Sequence, residues 1–248
     1  MTPVTDARII AAVEAFFHRP DVCGSMDLLR RRLPDTARIG VAGGALRNLI
    51  IGLLHGSAPP TRDIDLFVGG VKRHFALSAL LRDQPTESTG LGGLRWRPPG
   101  SAFVYDLCLL PNFVVIKTFH LGATFESLLA SIDFTVNAIL YDDYQRTLTE
   151  NGCIGAIRHR MIDFNSTLIP GKCLIAYRML LIGHKTGFAF ARPVYQFLKQ
   201  QLDPETLTQL KRVLRAKVGK VVAAAILAGL DALCRTPTYE AYLLMRGL

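Results

Sequence analysis

The chain has 248 residues, of which half are apolar and a fifth are charged. This composition excludes a disordered chain and a low-complexity tail, and a chain of this length buries about 70–75% of its unfolded surface on folding. The formal net charge is +9, and all of it lies in residues 151–248, which carry 14 basic and 5 acidic side chains. A neutral half joined to a basic half predicts a polyanionic partner for the second half; the alternative is a solvated basic helix surface.

The sequence carries no pattern typical of secretion or membrane insertion. The N-terminus lacks a basic start followed by an apolar core, and the longest apolar run, residues 221–230, is far too short to cross a bilayer. The five cysteines form no Cys-x-x-Cys pair, which favours reduced thiols. We therefore expect a cytoplasmic protein without a membrane partner.

Helices and strands alternate in the first part of the chain. Apolar spacing and capping residues predict helices over residues 6–18, 25–33 (with Ser25 as the cap), 45–55, 71–82 and 153–158. Apolar, β-branched and aromatic content predicts strands over residues 38–42, 63–68, 102–110, 113–119 and 161–164.

From residue 172 onward the pattern is helical. Helices are expected over residues 172–185, 193–201, 204–214, 217–234 and 238–245. Asn, Ser, Thr, Pro and Gly cluster in residues 165–171, which favours a boundary there. The sequence thus predicts an α+β domain over residues 1–165 and a basic, all-helical domain over residues 166–248.

A phosphate-binding pattern follows the strand over residues 38–42. Gly43 and Gly44 end that strand, and a helix begins at once, so backbone N–H groups and the positive end of the helix dipole can meet an anion. Arg47 lies one turn into the helix, where a guanidinium can add a forked donor to a phosphate. A plain glycine turn is the alternative interpretation.

Three carboxylates accompany this turn. Asp63 and Asp65 are two apart on a strand and therefore project from the same face, and Asp106 lies within an apolar strand, where a charge is costly unless it is paired or metal-bound. Together they predict a Mg²⁺–triphosphate site. The alternatives are two solvated carboxylates on a strand edge, and an Asp106 that pairs with a neighbouring arginine.

The combined spacing resembles the nucleotidyltransferase superfamily of DNA polymerase beta, and more closely the head of class II CCA-adding enzymes and bacterial poly(A) polymerases. The family motif Gly-Gly-x-Val-Arg-Asp, followed by Asp-x-Asp, corresponds to residues 43–48 and 63–65. Residues 133–138 read Asp-Phe-Thr-Val-Asn-Ala, where the family has Asp-Phe-Thr-Ile-Asn-Ala. Residues 174–188 are similar to the family's neck helix around Arg178, and the resemblance covers roughly residues 38–190.

The resemblance implies a polymerase-beta-like head with a mixed sheet, followed by a helical neck and body. It implies a metal-dependent transfer of a nucleoside monophosphate from an NTP to an acceptor hydroxyl, with two Mg²⁺ ions. Catalysis and metal binding would fall to Asp63, Asp65 and Asp106. Nucleotide binding would fall to Gly43, Gly44, Arg47, Asp133, Asn137 and Arg178.

Several positions depart from the family motifs. Asn48 stands where the family usually has Asp, and Ser131 and Ile132 stand where it has two Arg. In the neck motif Glu-Asp-x-x-Arg-x-x-Arg, Lys172 and Ile175 replace the Asp and Arg that read the incoming base. We therefore expect weak base discrimination, or a preference set by something other than the neck Asp–Arg pair, rather than ordered addition of C and then A.

Three functions remain open at the level of the sequence. The first is addition of nucleotides to an RNA 3′ end, as in tRNA processing or polyadenylation. The second is modification of a protein or small molecule, such as a toxin target or an antibiotic. The third is a non-catalytic RNA-binding relative, against which the three retained aspartates argue. For RNA, the expected contact is a basic helical segment, in which Lys211 and Arg215 share a face and Arg212 borders it. Its members are Lys211, Arg212, Arg215, Lys217 and Lys220.

Overall fold

A computed structural model describes residues 1–90 and 92–248. Its ten strands are β1 (Thr2–Pro3), β2 (Arg38–Ala42), β3 (Asp63–Gly69), β4 (Thr86–Ser88), β5 (Leu94–Trp96), β6 (Val104–Leu109), β7 (Ile139–Asp142), β8 (Thr147–Glu150), β9 (Met161–Ile162) and β10 (Ala189–Phe190). The first eight form one sheet in the order β1-β8-β7-β2-β3-β6-β5-β4. Strands β3 and β6 are parallel, whereas the other neighbours, such as β2 and β3, are antiparallel. The predicted mixed sheet is therefore confirmed.

Helices cover the sheet and make up most of the C-terminal part. They are α1 (Ala7–Phe17), α2 (Pro20–Arg32), α3 (Gly44–His55), α4 (Leu77–Leu80), α5 (Val114–Thr118), α6 (Phe125–Ser131), α7 (Cys153–Arg158), α8 (Lys172–Thr186), α9 (Arg192–Gln200), α10 (Pro204–Arg235) and α11 (Tyr239–Met245). The α+β class with a helical C-terminal part is confirmed. None of the helices in residues 1–90 and 92–248 has the length and apolar character needed to cross a bilayer.

The main hydrophobic core runs from the sheet into the C-terminal helices. It includes Leu66 of β3 and Leu46 of α3, and it continues through Met179 of α8 and Leu214 of α10. The parallel pair of β9 and β10 also joins the two halves of the chain. This packing fixes α8 against the head, while the division between residues 165 and 166 stays a prediction.

Three predicted elements differ in the structure. Residues 113–119 form helix α5 rather than a strand, because Ile116 packs into a second apolar cluster with Leu128 and Leu129 of α6. In residues 71–82 only Leu77–Leu80 is helical. Helix α2 begins at Pro20, five residues earlier than predicted, and Ser25 is buried within it instead of capping it.

The sequence predicts two helices, over residues 204–214 and 217–234, and the structure has the single helix α10 with a break inside it. Gly219 has φ +81° inside the helix, a left-handed conformation that glycine adopts without steric cost. The expected gap at residues 215–216 is therefore shifted to Gly219. The chain changes direction there, between Lys217 and Lys220.

Candidate active site

The three predicted aspartates lie on one face of the sheet. Asp65 of β3 is in register with Asp106 of β6, and the strands are parallel, so the two side chains stand side by side on strands about 4.8 Å apart. Asp63 shares that face because it is two residues from Asp65. We call Asp63, Asp65 and Asp106 the acidic row.

The carboxyl group of Asp65 has a raised pKa. Burial, together with the charges of Asp106 and Asp63, raises its pKa from 3.8 to about 6. Arg178 and Arg47 act in the opposite direction. The charged form of this carboxylate therefore lacks sufficient compensation, a condition that a bound cation would relieve.

Asp106 is neutralised by an arginine on the next strand. Arg95 of β5 lies opposite Asp106 in the antiparallel ladder. Its Nε donates to Asp106 Oδ1 at 2.7 Å and its Nη2 to Oδ2 at 2.6 Å. Asp106 thus faces the same side as Asp65, and it is also paired with an arginine, as the alternative interpretation proposed.

Arg95 itself was not among the predicted site residues. Leu94 and Trp96 on either side of it are buried, so alternation along the strand turns Arg95 toward the opposite face. That signal was present in the sequence. The arginine reaches Asp106 through the pairing of the consecutive strands β5 and β6, and alternation within one strand does not specify the register of that pairing.

Gly43 lies against the acidic row. It has φ +80°, and a Cβ built on it would lie 3.3 Å from Asp65 Oδ2. A larger residue would be strained there and would crowd the carboxylate. The turn at Gly43 therefore brings the N-terminus of α3, which begins at Gly44, next to Asp65.

Arg47 is buried in an amide network behind this turn. Its Nε and Nη2 donate to Asn48 Oδ1 at 3.1 and 2.9 Å, and its Nη1 donates to Asn137 Oδ1 at 2.6 Å. Asn48 in turn donates to Thr61 Oγ1 at 3.3 Å. Burial lowers the pKa of Arg47 to about 10. In this structure the guanidinium joins α3 to the segment around Asn137 instead of presenting its whole fork to a phosphate.

Asp133 and Arg178 form an ion pair that ties α8 to the head. Asp133 is nearly buried, and its Oδ1 also accepts from the Phe134 N–H at 3.0 Å and from Asn137 Nδ2 at 3.4 Å. The pKa of Arg178 is raised, chiefly by the charge of Asp133. The predicted nucleotide-binding residues Arg47, Asn137, Asp133 and Arg178 therefore lie in one connected network next to Asp65.

The two α8 residues that align with the base-reading positions of the family motif are Lys172 and Ile175. Ile175 is buried in the main core, and Lys172 is exposed at the first residue of the helix. Neither side chain offers the paired donor and acceptor that distinguish one base edge from another. The polar network ends at Arg178.

All five predicted RNA-binding residues are on α10 and exposed. None of them forms an ion pair with a residue in the described part of the chain. Lys211, Arg212 and Arg215 precede the break at Gly219, and Lys220 follows it. The positive charge of this helix is thus available to a polyanion.

The carboxylates of Asp63 and Asp65 suit a hard divalent cation. Carboxylate oxygens are ligands that Mg²⁺ accepts, and these two aspartates form no ion pair within residues 1–90 and 92–248, unlike Asp106. No group of three His, Cys, Asp or Glu side chains in those residues is already arranged around a common metal position. The arrangement therefore fits a cation held by two aspartates, Asp63 and Asp65, rather than by three.

Solved structures similar to this chain are CCA-adding enzymes. A complex of a CCA-adding enzyme with ATP matches 93% of this chain at 16% identity with a TM-score of 0.66. The Bacillus stearothermophilus enzyme in complex with CTP matches 88% at 22% identity and a TM-score of 0.55. The Thermotoga maritima enzyme complexed with tRNA matches 83% at 18% identity and a TM-score of 0.54.

These similarities establish the fold, which resembles that of CCA-adding enzymes. The amino-acid sequence of this chain diverges strongly from the sequences of those enzymes. This chain covers 53 to 55% of the length of those three proteins. No protein-family model matches the sequence, and no curated protein matches it.

Proposed function

We propose that this protein is a metal-dependent nucleotidyltransferase that transfers a nucleoside monophosphate from an NTP to an acceptor hydroxyl, with an RNA 3′ end as the acceptor. The observation that carries the proposal is the position of Asp65 beside the turn at Gly43, with Asp63 two residues away on the same face of β3. Carboxylates for a cation and backbone N–H groups for phosphates thus converge on one corner of the sheet.

The residues of this corner divide the work of binding. Asp63 and Asp65 would hold Mg²⁺, and the N-terminus of α3 at Gly44 would receive the triphosphate. When bound, Mg²⁺ neutralises phosphate charge and favours the deprotonated acceptor. The Arg47–Asn137 network keeps the turn in place, so the phosphates meet preorganised donors.

The transfer itself requires little covalent chemistry from the protein. The acceptor oxygen forms a bond to the α-phosphorus as the bond to pyrophosphate breaks, and the hydroxyl proton leaves to solvent. Asp106 lies beside Asp65, but Arg95 neutralises its charge, so removal of that proton is not assigned to this carboxylate. Rate enhancement would come mainly from alignment and charge stabilisation.

RNA as the acceptor is supported by the exposed basic face of α10 and by the fold shared with CCA-adding enzymes, one of which was solved with tRNA. The absence of base-reading groups at Lys172 and Ile175 supports transfer with weak base selection. This combination favours tailing of an RNA end over ordered synthesis of C-C-A.

The test is incubation of the full chain with each of four α-labelled NTPs, Mg²⁺ and total RNA, beside reactions without RNA. Label in RNA that depends on Asp65 is expected. Asp65→Asn removes one carboxylate of the acidic row, and Asp35→Asn, at an exposed position away from it, is the matched control. No incorporation from any NTP would contradict the proposal, and label found only on protein or a small acceptor would exclude RNA.

A further inference from the structure

Arg95 supplies the acidic row with a cation of its own. The row places three negative charges on one face of the sheet. Arg95 cancels one of them through two hydrogen bonds to both oxygens of Asp106. The two charges that remain, on Asp63 and Asp65, match a single divalent ion.

The two neighbouring arginines, Arg178 and Arg47, add no negative charge that a second divalent ion could use. Arg178 is already paired with Asp133. Arg47 is buried and is bonded to two neutral amides, those of Asn48 and Asn137. Its charge is felt at Asp65, where it favours the ionised carboxylate. A second divalent ion would therefore enter a site whose negative charge is already balanced by Arg95 and by the first ion.

The backbone holds Arg95 in this position. It lies opposite Asp106 in the ladder of β5 and β6, and the buried side chains of Leu94 and Trp96 anchor the strand on the other face. A paired guanidinium fork is a strong, directional partner for a carboxylate. A metal ion at Asp106 would have to compete with this guanidinium for the charge of the carboxylate.

We propose that Arg95 takes the place of a second metal ion at Asp106, so that the site binds one divalent cation, on Asp63 and Asp65, instead of two. Arg95 acts here as a positioning residue, because it fixes Asp106 and neutralises it. Three of its five N–H groups remain for a substrate oxygen. The inference rests on the proposed function in that it describes the metal content of the same site.

The experiment counts Mn²⁺ ions bound by the full chain, using the electron paramagnetic resonance signal of free Mn²⁺ during a titration without nucleotide. The wild type is expected to bind one Mn²⁺. Arg95→Met, which removes the charge and keeps much of the stem, is expected to bind a second. Arg97→Met is the matched control, because Arg97 is in the same segment but pairs with the exposed Glu87, and it should bind one.

Arg95→Gln provides a second variant, since it removes the charge and retains a hydrogen-bond donor for Asp106. It should also bind two Mn²⁺, whether or not Arg95→Met folds by circular dichroism. A wild type that binds two ions or none would overturn the inference, as would two folded Arg95 variants that bind no more than Arg97→Met.

The count of bound metal ions and the transfer of label test the two proposals independently. If RNA is labelled but the wild type binds two Mn²⁺, the proposed function stands and the role of Arg95 is wrong. If the counts rise from one to two in the Arg95 variants but no NTP is consumed, Arg95 excludes a cation at Asp106 and the proposed function is wrong.

Discussion

The acidic row and helix α8 meet near Asp65, and they differ in what each retains. The row keeps three carboxylates in adjacent register positions. Helix α8 contributes Arg178, which is paired with Asp133. Phosphoryl transfer requires charge at fixed positions, whereas base selection requires directional donors and acceptors at the base edge. The two functions are therefore separable, and the described residues near Asp65 supply charge, whereas Lys172 and Ile175 supply no pair of donor and acceptor for a base edge.

The largest expected effect is on catalysis, from a change in the acidic row. Asp65→Asn should lower the rate of nucleotide transfer by about 10³-fold or more, because a charge that stabilises the transition state is lost. The measurement is incorporation of labelled NTP into RNA under single-turnover conditions. Asp35→Asn should retain the wild-type rate, and an Asp65→Asn variant with near-normal activity would place the chemistry elsewhere.

The second effect is on stability, from a change in α8. Arg178→Met leaves the nearly buried Asp133 without its cationic partner, which should cost about 2–3 kcal/mol of unfolding free energy. Urea unfolding measures the change. Arg192→Met breaks an ion pair whose two members are both exposed, and it should cost less than about 1 kcal/mol. Equal losses in the two variants would show that the Asp133 pair has no special role.

The sequence predicts much of the acidic row and less of its surroundings. Period-two alternation is enough to place Asp63 and Asp65 on one face, and the strand–glycine–helix order is enough to place Gly43 beside them. The pairing of Arg178 with Asp133 joins residues distant in the chain, and the pairing of Arg95 with Asp106 depends on the register between β5 and β6. These contacts depend on strand order and helix packing, which local patterns do not specify. Helix α5 is another element that local patterns do not predict. Its β-branched residues favour a strand, but they form a helix in which Ile116 packs into an apolar cluster.

The third effect is a pH dependence of stability. The pKa of Asp65 is raised from 3.8 to about 6 by burial and by Asp106. The protonated carboxyl is therefore favoured in the folded state, and its stabilising contribution is lost as pH rises through about 6. Relative to the wild type, Asp65→Asn should gain about 1–2 kcal/mol between pH 4.5 and pH 7.5.

Urea unfolding at both pH values measures this gain. Asp35→Asn should show a difference from the wild type that does not change with pH. An Asp65→Asn variant that is less stable than the wild type at pH 7.5 would indicate that the carboxylate has a structural partner.

A smaller effect is expected at the basic face of α10. Replacing Lys211, Arg212 and Arg215 by Gln should flatten the log–log salt dependence of RNA binding by about two units, since each phosphate contact of a single strand contributes about 0.7. The control replaces Lys72, Arg73 and Arg82, which are also exposed, and it should leave the slope unchanged. Filter binding at several salt concentrations measures both. An unchanged slope in the first variant would favour a solvated helix surface.

The most direct test of the contrast between the acidic row and α8 is the kcat/KM of the wild-type chain for ATP, CTP, GTP and UTP with an RNA acceptor. Because Lys172 and Ile175 provide no base-reading pair, the four values should lie within about tenfold of one another, a difference of about 1.4 kcal/mol. All four should fall by about 10³-fold or more in Asp65→Asn. Strict addition of C followed by A to tRNA would contradict the account, because it would require base recognition at α8.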